Sequence, residues 1–309
     1  MQALPVAELT RRIRTPVDLG QAIGRLRRGA GDPTHRRASD GWWRATRTPQ
    51  GPALLRLHRE GEAIVARAWG SGADWVLEQV PELLGLHDDA AGFEPRHPLL
   101  VDLARRNPWL RIGRTRAVLE AFAPTVIEQK VTGREAFGAF RRLVRRFGEP
   151  APGPARDPAS PAYGMCVQPD GAGWAAIPSW EWLRAMVDGK RSTALVRGAR
   201  RAAALERTLE SADVDAALRS LPGVGPWTSA EVRAVAHGDP DAWSIGDYHV
   251  PRMIIFALTG EDRTSDEVAT ELLEPWRGHR LRVQLLIMSA GLGPERRGPR
   301  RSLPTHLPR

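Results

Sequence analysis

The most informative part of the sequence is residues 213–257, which read DVDAALRSLPGVGPWTSAEVRAVAHGDPDAWSIGDYHVPRMIIFA. Its apolar spacing predicts a short helix over 214–221. Gly223 and Gly225 then permit a tight hairpin with backbone angles that other residues avoid. Pro226 follows, and its fixed φ and missing N–H suit the first position of a second helix. The stretch therefore predicts a helix, a glycine-rich hairpin and another helix.

Such a hairpin leaves backbone N–H groups of residues 223–225 free at a helix N-terminus, where they bind phosphate without reading base sequence. The alternative is an ordinary corner between two helices. Asp247 lies 22 residues after Gly225 and follows Gly246, which permits a sharp turn. A helical pattern covers 248–258. Asp247 could be a reactive carboxylate or only the N-cap of that helix, and the two roles are compatible.

The hairpin and the aspartate that follows it resemble the motif of a known protein family. The segment LPGVGPWTSAEV, followed by the aspartate of GDYHV, resembles the helix-hairpin-helix, Gly/Pro-rich, aspartate signature of the HhH-GPD DNA glycosylase superfamily. VIEQKVTG at 126–133 resembles the family's glutamine-containing helix, and EPWRGHR at 274–280 resembles its Pro-Trp-Arg element. The N-terminal part resembles the alkylation-repair branch, the bacterial 3-methyladenine DNA glycosylase II group. The resemblance covers residues 15–292.

The expected fold is an α+β N-terminal domain, an antiparallel sheet with helices, followed by a mainly α-helical glycosylase domain. Alternating residues over 42–48, 52–58 and 62–69 predict a three-stranded antiparallel meander. Residues 1–16 are poorly patterned, and 29–40 is predicted to be a loop. The expected divisions are an N-terminal domain over 1–90, an all-helical domain over 91–292 with a Pro/Gly-rich surface connection at 148–178, and a disordered basic tail over 293–309.

The remaining predicted helices follow from amphipathic stretches after the sheet. They cover 99–105, 115–131, 134–147, 179–188, 192–210, 226–236, 265–273 and 279–290.

The resemblance implies that Asp247 is the catalytic residue. In the family a damaged nucleotide is flipped out of the duplex, and an aspartate helps to break the bond between the base and the sugar. A fixed carboxylate beside C1′ stabilises the oxocarbenium character of the sugar and orients water. The implied function is a DNA N-glycosylase of base excision repair that removes alkylated purines such as 3-methyladenine and leaves an abasic site.

One position separates glycosylases from glycosylase/lyases. Family members that also cleave the backbone carry a lysine two residues after the last hairpin glycine, where it forms a Schiff base. This chain has Trp227 there, and its two lysines are Lys130 and Lys190. The sequence therefore predicts a monofunctional enzyme. The single cysteine, Cys166, excludes a four-cysteine iron–sulfur cluster.

The resemblance also places residues at the base and at the DNA. Trp227 and Tyr248 match aromatic positions of the base pocket, where electron-rich rings stack on cationic bases. Glu231 is expected in the same pocket, where it would favour cationic bases, or on a solvated helix face. The residues expected to contact DNA are Leu221, Gly223, Val224, Gly225, Gln129 and Lys130.

Some of these positions depart from the family pattern. Glu231 stands where the alkylation branch can carry an aromatic residue, and Leu285 is aliphatic where another pocket aromatic is expected. Lys130 stands where a relative carries an apolar wedge that fills the gap left by the flipped base. No cofactor is expected to be required. A structural Na⁺ or K⁺ is a candidate at the hairpin, held by the backbone carbonyls of Leu221 and Val224.

The charge indicates the class of partner. Lys and Arg number 45 against 36 Asp and Glu, which gives a formal net charge of +9. A basic chain favours a polyanion, and with the hairpin we expect double-stranded DNA carrying damaged bases. No apolar run approaches the ~18 residues of a membrane span. We expect a monomer in the cytoplasm, associated with the nucleoid.

Two alternatives stay open from the residues alone. One is a non-catalytic duplex-DNA-binding protein that uses Asp247 only as a helix cap. The other is the same enzyme class acting on deaminated or oxidised bases.

Overall fold

A five-stranded antiparallel sheet forms the N-terminal part of the computed structural model, which describes residues 8–294. The spatial order is β1-β5-β4-β3-β2. The strands are β1 (Glu8–Arg14), β2 (His35–Ala38), β3 (Gly41–Thr48), β4 (Gly51–Glu60) and β5 (Ala63–Trp69). The α+β class and the predicted meander, β3 to β5, are confirmed.

The sequence missed the two edge strands. The predicted loop at 29–40 contains β2, and the poorly patterned N-terminal residues contain β1. Strand β1 pairs with β5 in a register that places Ile13 opposite Ile64. Its sequence, ELTRRIR, is charged because an edge strand turns polar side chains to water, and charge there discourages pairing with other chains. Such a strand shows no apolar alternation.

Both faces of the sheet are buried. On one face, α1 (Leu19–Gly24) and α2 (Ala73–Leu83) pack on a core that includes Leu55, Leu57 and Ile64. On the opposite face, Trp43 and Trp69 stack with ring centroids 5.6 Å apart. Burial on two sides explains why the apolar pattern of these strands alternates only weakly.

The Pro/Gly-rich connection at 148–178 covers that second face, so the prediction of a surface connection is wrong. It contains β6 (Glu149–Pro150) paired with β7 (Cys166–Val167), a 3₁₀ turn at Gly153–Arg156, and α6 (Gly171–Ala176). The strand pair also corrects the expectation of an all-helical second part. Single apolar residues between the turns pack against the sheet, and these are Ala151, Ala155, Ala162, Met165 and Val167. Because its buried residues occur singly between turns, the segment shows neither the helical nor the strand period of apolar residues.

Helices make up most of the rest of the described chain. They are α3 (Pro98–Arg106), α4 (Val118–Glu128), α5 (Gly133–Phe147), α7 (Ser179–Arg184), α8 (Gly189–Ala199), α9 (Ala202–Arg207), α10 (Val214–Arg219), α11 (Pro226–Val232), α12 (Val250–Thr259), α13 (Asp266–Leu273) and α14 (Arg280–Ser289). The predicted helix over 192–210 divides into α8, α9 and a 3₁₀ turn, and the one over 226–236 continues past α11 as a π-helix at Arg233–His237.

Two helical cores hold these elements together. Helix α4 lies at the centre of the first, where Phe122, Val126 and Ile127 are fully buried. Helix α8 approaches α4 closely, because a Cβ atom on Gly198 would lie 2.2 Å from the Phe122 ring. The second core joins α3, α12, α13 and α14 around Ile254 and Ile287.

The structure does not test the predicted domain boundary or most of the predicted tail. The domain boundary at residue 90 stays a prediction. The tail predicted from residue 293 lies, after Pro294, outside the described residues. None of the helices within residues 8–294 has the length and apolar character that a membrane crossing requires.

Candidate active site

The predicted hairpin lies between α10 and α11. Leu221 and Val224 anchor it, since both side chains are buried against the α4 core. Gly223 has φ +96°, and a Cβ atom there would lie 2.7 Å from the Cβ of Ala194 on α8. A side chain is therefore excluded at Gly223 by both strain and space. Gly225 differs, because a Cβ atom there would meet nothing within 4 Å.

A glutamine ties the end of α4 to this hairpin. The Nε2 of Gln129 donates to the carbonyl of Gly223 at 3.0 Å and to Oγ1 of Thr228 at 2.8 Å. Lys130 follows, exposed and with φ +56°. The structure thus places Gln129 and its neighbour Lys130 beside the hairpin, and it gives Gln129 a positioning role that the sequence did not reveal.

Asp247 lies in the loop that leads into α12. Its Oδ1 accepts hydrogen bonds from the N–H groups of His249 at 2.7 Å and Val250 at 2.9 Å. The loop is held from α13, since the Gly246 N–H donates to Asp266 at 3.0 Å. Within residues 8–294 no hydrogen bond reaches Oδ2 of Asp247. One oxygen therefore caps the helix and fixes the carboxylate, while the other remains available.

Glu231 lies on α11, one turn after Trp227. The hydroxyl of Ser244 donates to its Oε1 at 2.5 Å. Gln284 fixes Ser244 in turn, because its Nε2 donates to the Ser244 hydroxyl at 2.8 Å and its Oε1 accepts from the Ser244 N–H at 2.8 Å. Burial raises the pKa of Glu231 to about 7, and the charges of Glu128 and Asp247 add to this while the Ser244 hydrogen bond opposes it.

A second glutamate near this point was not found from the sequence. Glu128 ends α4 and forms an ion pair with Arg28 at 2.6 Å, with both side chains largely shielded from solvent. Burial raises the pKa of Glu128, the Arg28 guanidinium opposes the shift, and Asp247 adds to it. The signal available in the sequence was a glutamate at the end of the apolar stretch VLEAFAPTVIE, but its partner Arg28 lies a hundred residues away.

The two predicted pocket aromatics differ in their surroundings. Trp227 is half-buried and packs beside the Asp247 loop, since a Cβ atom on Gly246 would lie 3.7 Å from its Cβ. Its Nε1 is buried without a hydrogen-bond partner among the described residues. Tyr248 is 73% exposed, and its ring meets His249 edge-on. The structure therefore brings Trp227 and Glu231 to the Asp247 loop and leaves Tyr248 turned to solvent.

Leu285 is aliphatic and packs with Ile112, Ala230 and Leu281. A separate open cavity of about 630 Å³ lies between α1 and strand β3, lined in part by Trp42 and Trp109. Asp247 does not line that cavity, so the carboxylate that the sequence predicts to be catalytic lies apart from it.

Comparison with solved structures shows which proteins share this fold. No family model matches the chain, and no curated protein sequence matches it. Among solved structures, a 3-methyladenine DNA-glycosylase from Archaeoglobus fulgidus superposes with a TM-score of 0.73 at 19% identity, covering 90% of this chain and 97% of that one. MBOgg1 in complex with a low affinity DNA ligand gives 0.71 at 13% identity, with 92% and 95% covered.

A third match is the Clostridium acetobutylicum 8-oxoguanine glycosylase/lyase in complex with double-stranded DNA containing cytosine opposite 8-oxoguanine. It gives a TM-score of 0.68 at 14% identity, covering 89% of this chain and 91% of that one. At these identities the substrate of a solved structure cannot be assigned to this chain. The superpositions nevertheless extend over nearly the whole length of both chains. The structure therefore confirms the expected fold: this chain has the fold of these solved DNA glycosylases.

Proposed function

We propose that the chain is a monofunctional DNA N-glycosylase of base excision repair, which removes alkylated purines such as 3-methyladenine from duplex DNA and leaves an abasic site. The observation that carries the proposal is the Asp247 carboxylate. Two backbone N–H groups fix its Oδ1, and no group among the described residues bonds its Oδ2, on a loop beside the helix-hairpin-helix.

The chemistry follows from that geometry. As the base departs from C1′, positive charge develops on the sugar, and a fixed carboxylate stabilises it without having to reorganise. Oδ2 of Asp247 is the atom available to face C1′, and it can also accept a proton from the attacking water. Because backbone N–H groups at the start of α12 hold Oδ1, the carboxylate keeps its orientation throughout the reaction.

The DNA would be held at the edge formed by the hairpin and the end of α4. Among residues 8–294 no acceptor takes the N–H groups of Gly223 and Gly225, so both are available to phosphate oxygens. Lys130 adds a positive charge at the same edge. The open space at Gly225 supports close approach of a phosphate, because no side chain intervenes there.

A monovalent cation at the hairpin remains part of the proposal. The carbonyl of Leu221 accepts one hydrogen bond, from Val224 at 3.0 Å, and keeps a second lone pair. Carbonyl oxygens of Leu221 and Val224 are ligands that Na⁺ or K⁺ accepts. When bound, the ion would add positive charge beside the phosphate.

The proposed lesion class rests on Trp227. Its indole packs beside the Asp247 loop, and an electron-rich ring binds a cationic alkylated base. The same residue occupies the position at which a lyase carries its nucleophilic lysine, so we propose that no Schiff base forms. Borohydride should therefore trap no covalent complex of the wild-type protein with lesion-containing DNA. We also propose that the protein acts as a monomer on DNA in the cytoplasm.

The decisive experiment replaces Asp247 with asparagine. We expect Asp247→Asn to lower the single-turnover release of 3-methyladenine from methylated duplex DNA by at least ~100-fold, since electrostatic stabilisation at the reacting centre is a large part of catalysis. Binding to the same duplex should stay within about threefold, because asparagine keeps the helix cap.

The matched control is Asp213→Asn. Asp213 caps α10 through the Ala216 N–H at 2.9 Å and lies outside the site, so its variant should retain both release and binding. Full activity of Asp247→Asn would contradict the assignment. A wild-type protein that binds duplex DNA tightly and releases no damaged base would favour the non-catalytic alternative. Release of deaminated or oxidised bases alone would show that the enzyme acts on a different class of lesion.

A further inference from the structure

Glu231 has a geometry that the proposed function does not use. Its Oε1 is fixed by Ser244, and Ser244 is fixed by two hydrogen bonds with Gln284. Its Oε2 takes part in no hydrogen bond within the described chain, and the side chain is only half-buried. A carboxyl group held by one oxygen, with the other open, is arranged to act on something that enters from solvent.

The direction in which Glu231 faces is given by its neighbours. It lies four residues after Trp227 on α11, so the two side chains share one face of the helix. Ser244, its hydrogen-bond donor, belongs to the loop that carries Asp247 three residues later. Trp227 and Glu231 therefore both contact the loop that carries Asp247, so a flipped base held at Asp247 would lie next to them.

We propose that Glu231 is a second catalytic residue, a general acid that donates its carboxyl proton to a neutral damaged purine as that base leaves. The proposal rests on the proposed function, because it requires Asp247 to act at C1′ of the same nucleotide. It extends the substrate class from cationic alkylated purines to neutral purines.

The need for an acid depends on the charge of the base. A purine alkylated at N7 or N3 is cationic and leaves as a neutral molecule, so it needs no proton. A neutral purine would leave as an anion, which is a poor leaving group. A proton delivered to a ring nitrogen removes that obstacle, and a positioned acid typically contributes about 10²–10⁴-fold.

The step balances with water as the only co-reactant. The O–H bond of the Glu231 carboxyl breaks as an N–H bond forms on the purine. The bond from C1′ to N9 breaks, and its electron pair goes to the base. The oxygen of water bonds to C1′, and its proton passes to Asp247. The products are a neutral free base and an abasic site, and solvent returns a proton to Glu231.

The surroundings of Glu231 favour the protonated form. Burial is the largest cause of its raised pKa, Glu128 at the end of α4 and Asp247 reinforce it, and Arg28 with the Ser244 hydroxyl opposes it. Arg25, on the same side of the sheet domain as Arg28, also interacts with Glu231. With a pKa of about 7, roughly half of Glu231 carries its proton at neutral pH, which is the condition that general-acid catalysis requires.

The test compares two lesions in the same duplex sequence, hypoxanthine as the neutral purine and 7-methylguanine as the cationic one. We expect Glu231→Gln to lower the single-turnover rate on hypoxanthine by ~100-fold or more, and at least ~10 times more than the rate on 7-methylguanine. In the wild type the ratio of the two rates should fall about tenfold per pH unit above pH 7. In the variant this ratio should not change with pH.

Two controls keep the outcome interpretable. Glu271→Gln, an exposed glutamate of α13, should leave the ratio of the two rates at the wild-type value. Glu231→Asp keeps a carboxyl group and should retain a pH-dependent ratio, which a purely structural role of Glu231 would not produce. Thermal melting of each variant reports whether it folds.

Three results would overturn the proposal: an equal loss on both lesions in Glu231→Gln, parallel pH profiles in the wild type, or a wild type that releases 7-methylguanine but no hypoxanthine. In each of these the wild type still excises a base, so the proposed function stands while the acid role fails. A wild type that releases neither base refutes the proposed function, and the acid role with it.

Discussion

Replacing Gly223 with alanine should test whether the hairpin needs glycine at this position for stability, separately from any contact with DNA. The residue has φ +96°, where an L side chain is strained by about 1–2 kcal/mol. The new Cβ would also lie 2.7 Å from the Cβ of Ala194, well inside the ~3.5–4.0 Å of ordinary carbon contact. Relieving that overlap moves backbone and typically costs about 1–3 kcal/mol. The free energy of unfolding should therefore fall by about 2–5 kcal/mol.

The assay is thermal unfolding followed by circular dichroism, paired with fluorescence anisotropy on a short duplex. At about 2–4 °C per kcal/mol, Gly223→Ala should melt at least ~4 °C below the wild type. Gly225→Ala is the matched control, because its φ is −94° and a Cβ atom there meets nothing within 4 Å. Losing the preferred glycine N-cap and stiffening the unfolded chain nearly cancel, so its stability should change by less than about 1 kcal/mol.

Gly225→Ala, which should leave the stability almost unchanged, should weaken the binding of duplex DNA. The added methyl group stands where a phosphate would approach, and the loss of one hydrogen bond to a charged group costs about 1.5–3 kcal/mol, or ~10–100-fold in affinity. A Gly223→Ala variant that melts with the wild type would refute the steric reasoning. A Gly225→Ala variant that binds duplex DNA at wild-type strength would refute the phosphate contact.

Three further predictions concern the surrounding structure. Arg282→Met leaves Asp88 buried without its bidentate partner, at 2.7 and 2.9 Å, and should lower stability by about 3–5 kcal/mol in urea unfolding. Gln129→Ala removes both hydrogen bonds between the end of α4 and the hairpin, and it should weaken duplex binding several-fold in anisotropy titrations while melting within about 5 °C of the wild type. The folded-state pKa of Glu231 is raised from 4.5 to about 7, so between these pH values the native state keeps a proton that the unfolded chain loses. The free energy of unfolding should therefore fall as pH rises from 4.5 to 7. Glu231→Gln should reduce this pH dependence, measured by urea unfolding at each pH.

The sequence predicted the parts of the fold that are encoded locally. The meander β3 to β5 was found because TPQGP and REGE mark its turns, and the hairpin was found because glycine and proline fix backbone angles at particular positions. The strand β1 was not found, since an edge strand with charged side chains shows no apolar alternation. The segment 148–178 was placed wrongly because its buried residues occur singly between turns.

The candidate site divides in the same way. Asp247 follows from a local motif, and the structure adds that one of its oxygens is fixed by the helix N-terminus. The pair Arg28–Glu128 and the pair Ser244–Gln284 join residues far apart in the chain, so tertiary packing alone reveals them. Tyr248 matches a motif position, but its exposure depends on how the loop before α12 leaves the core, which the motif does not specify.

The packing of segment 148–178 on the sheet has a consequence for how the protein is made. Strand β5 ends at Trp69, but the residues that cover Trp43, Leu54 and Trp69 extend to Val167. A ribosome adds ~5–20 residues per second, so the sheet waits about 5–20 s with one apolar face exposed to water. During synthesis this face is an early target for chaperones, and a chain released before Val167 would carry it into aggregation.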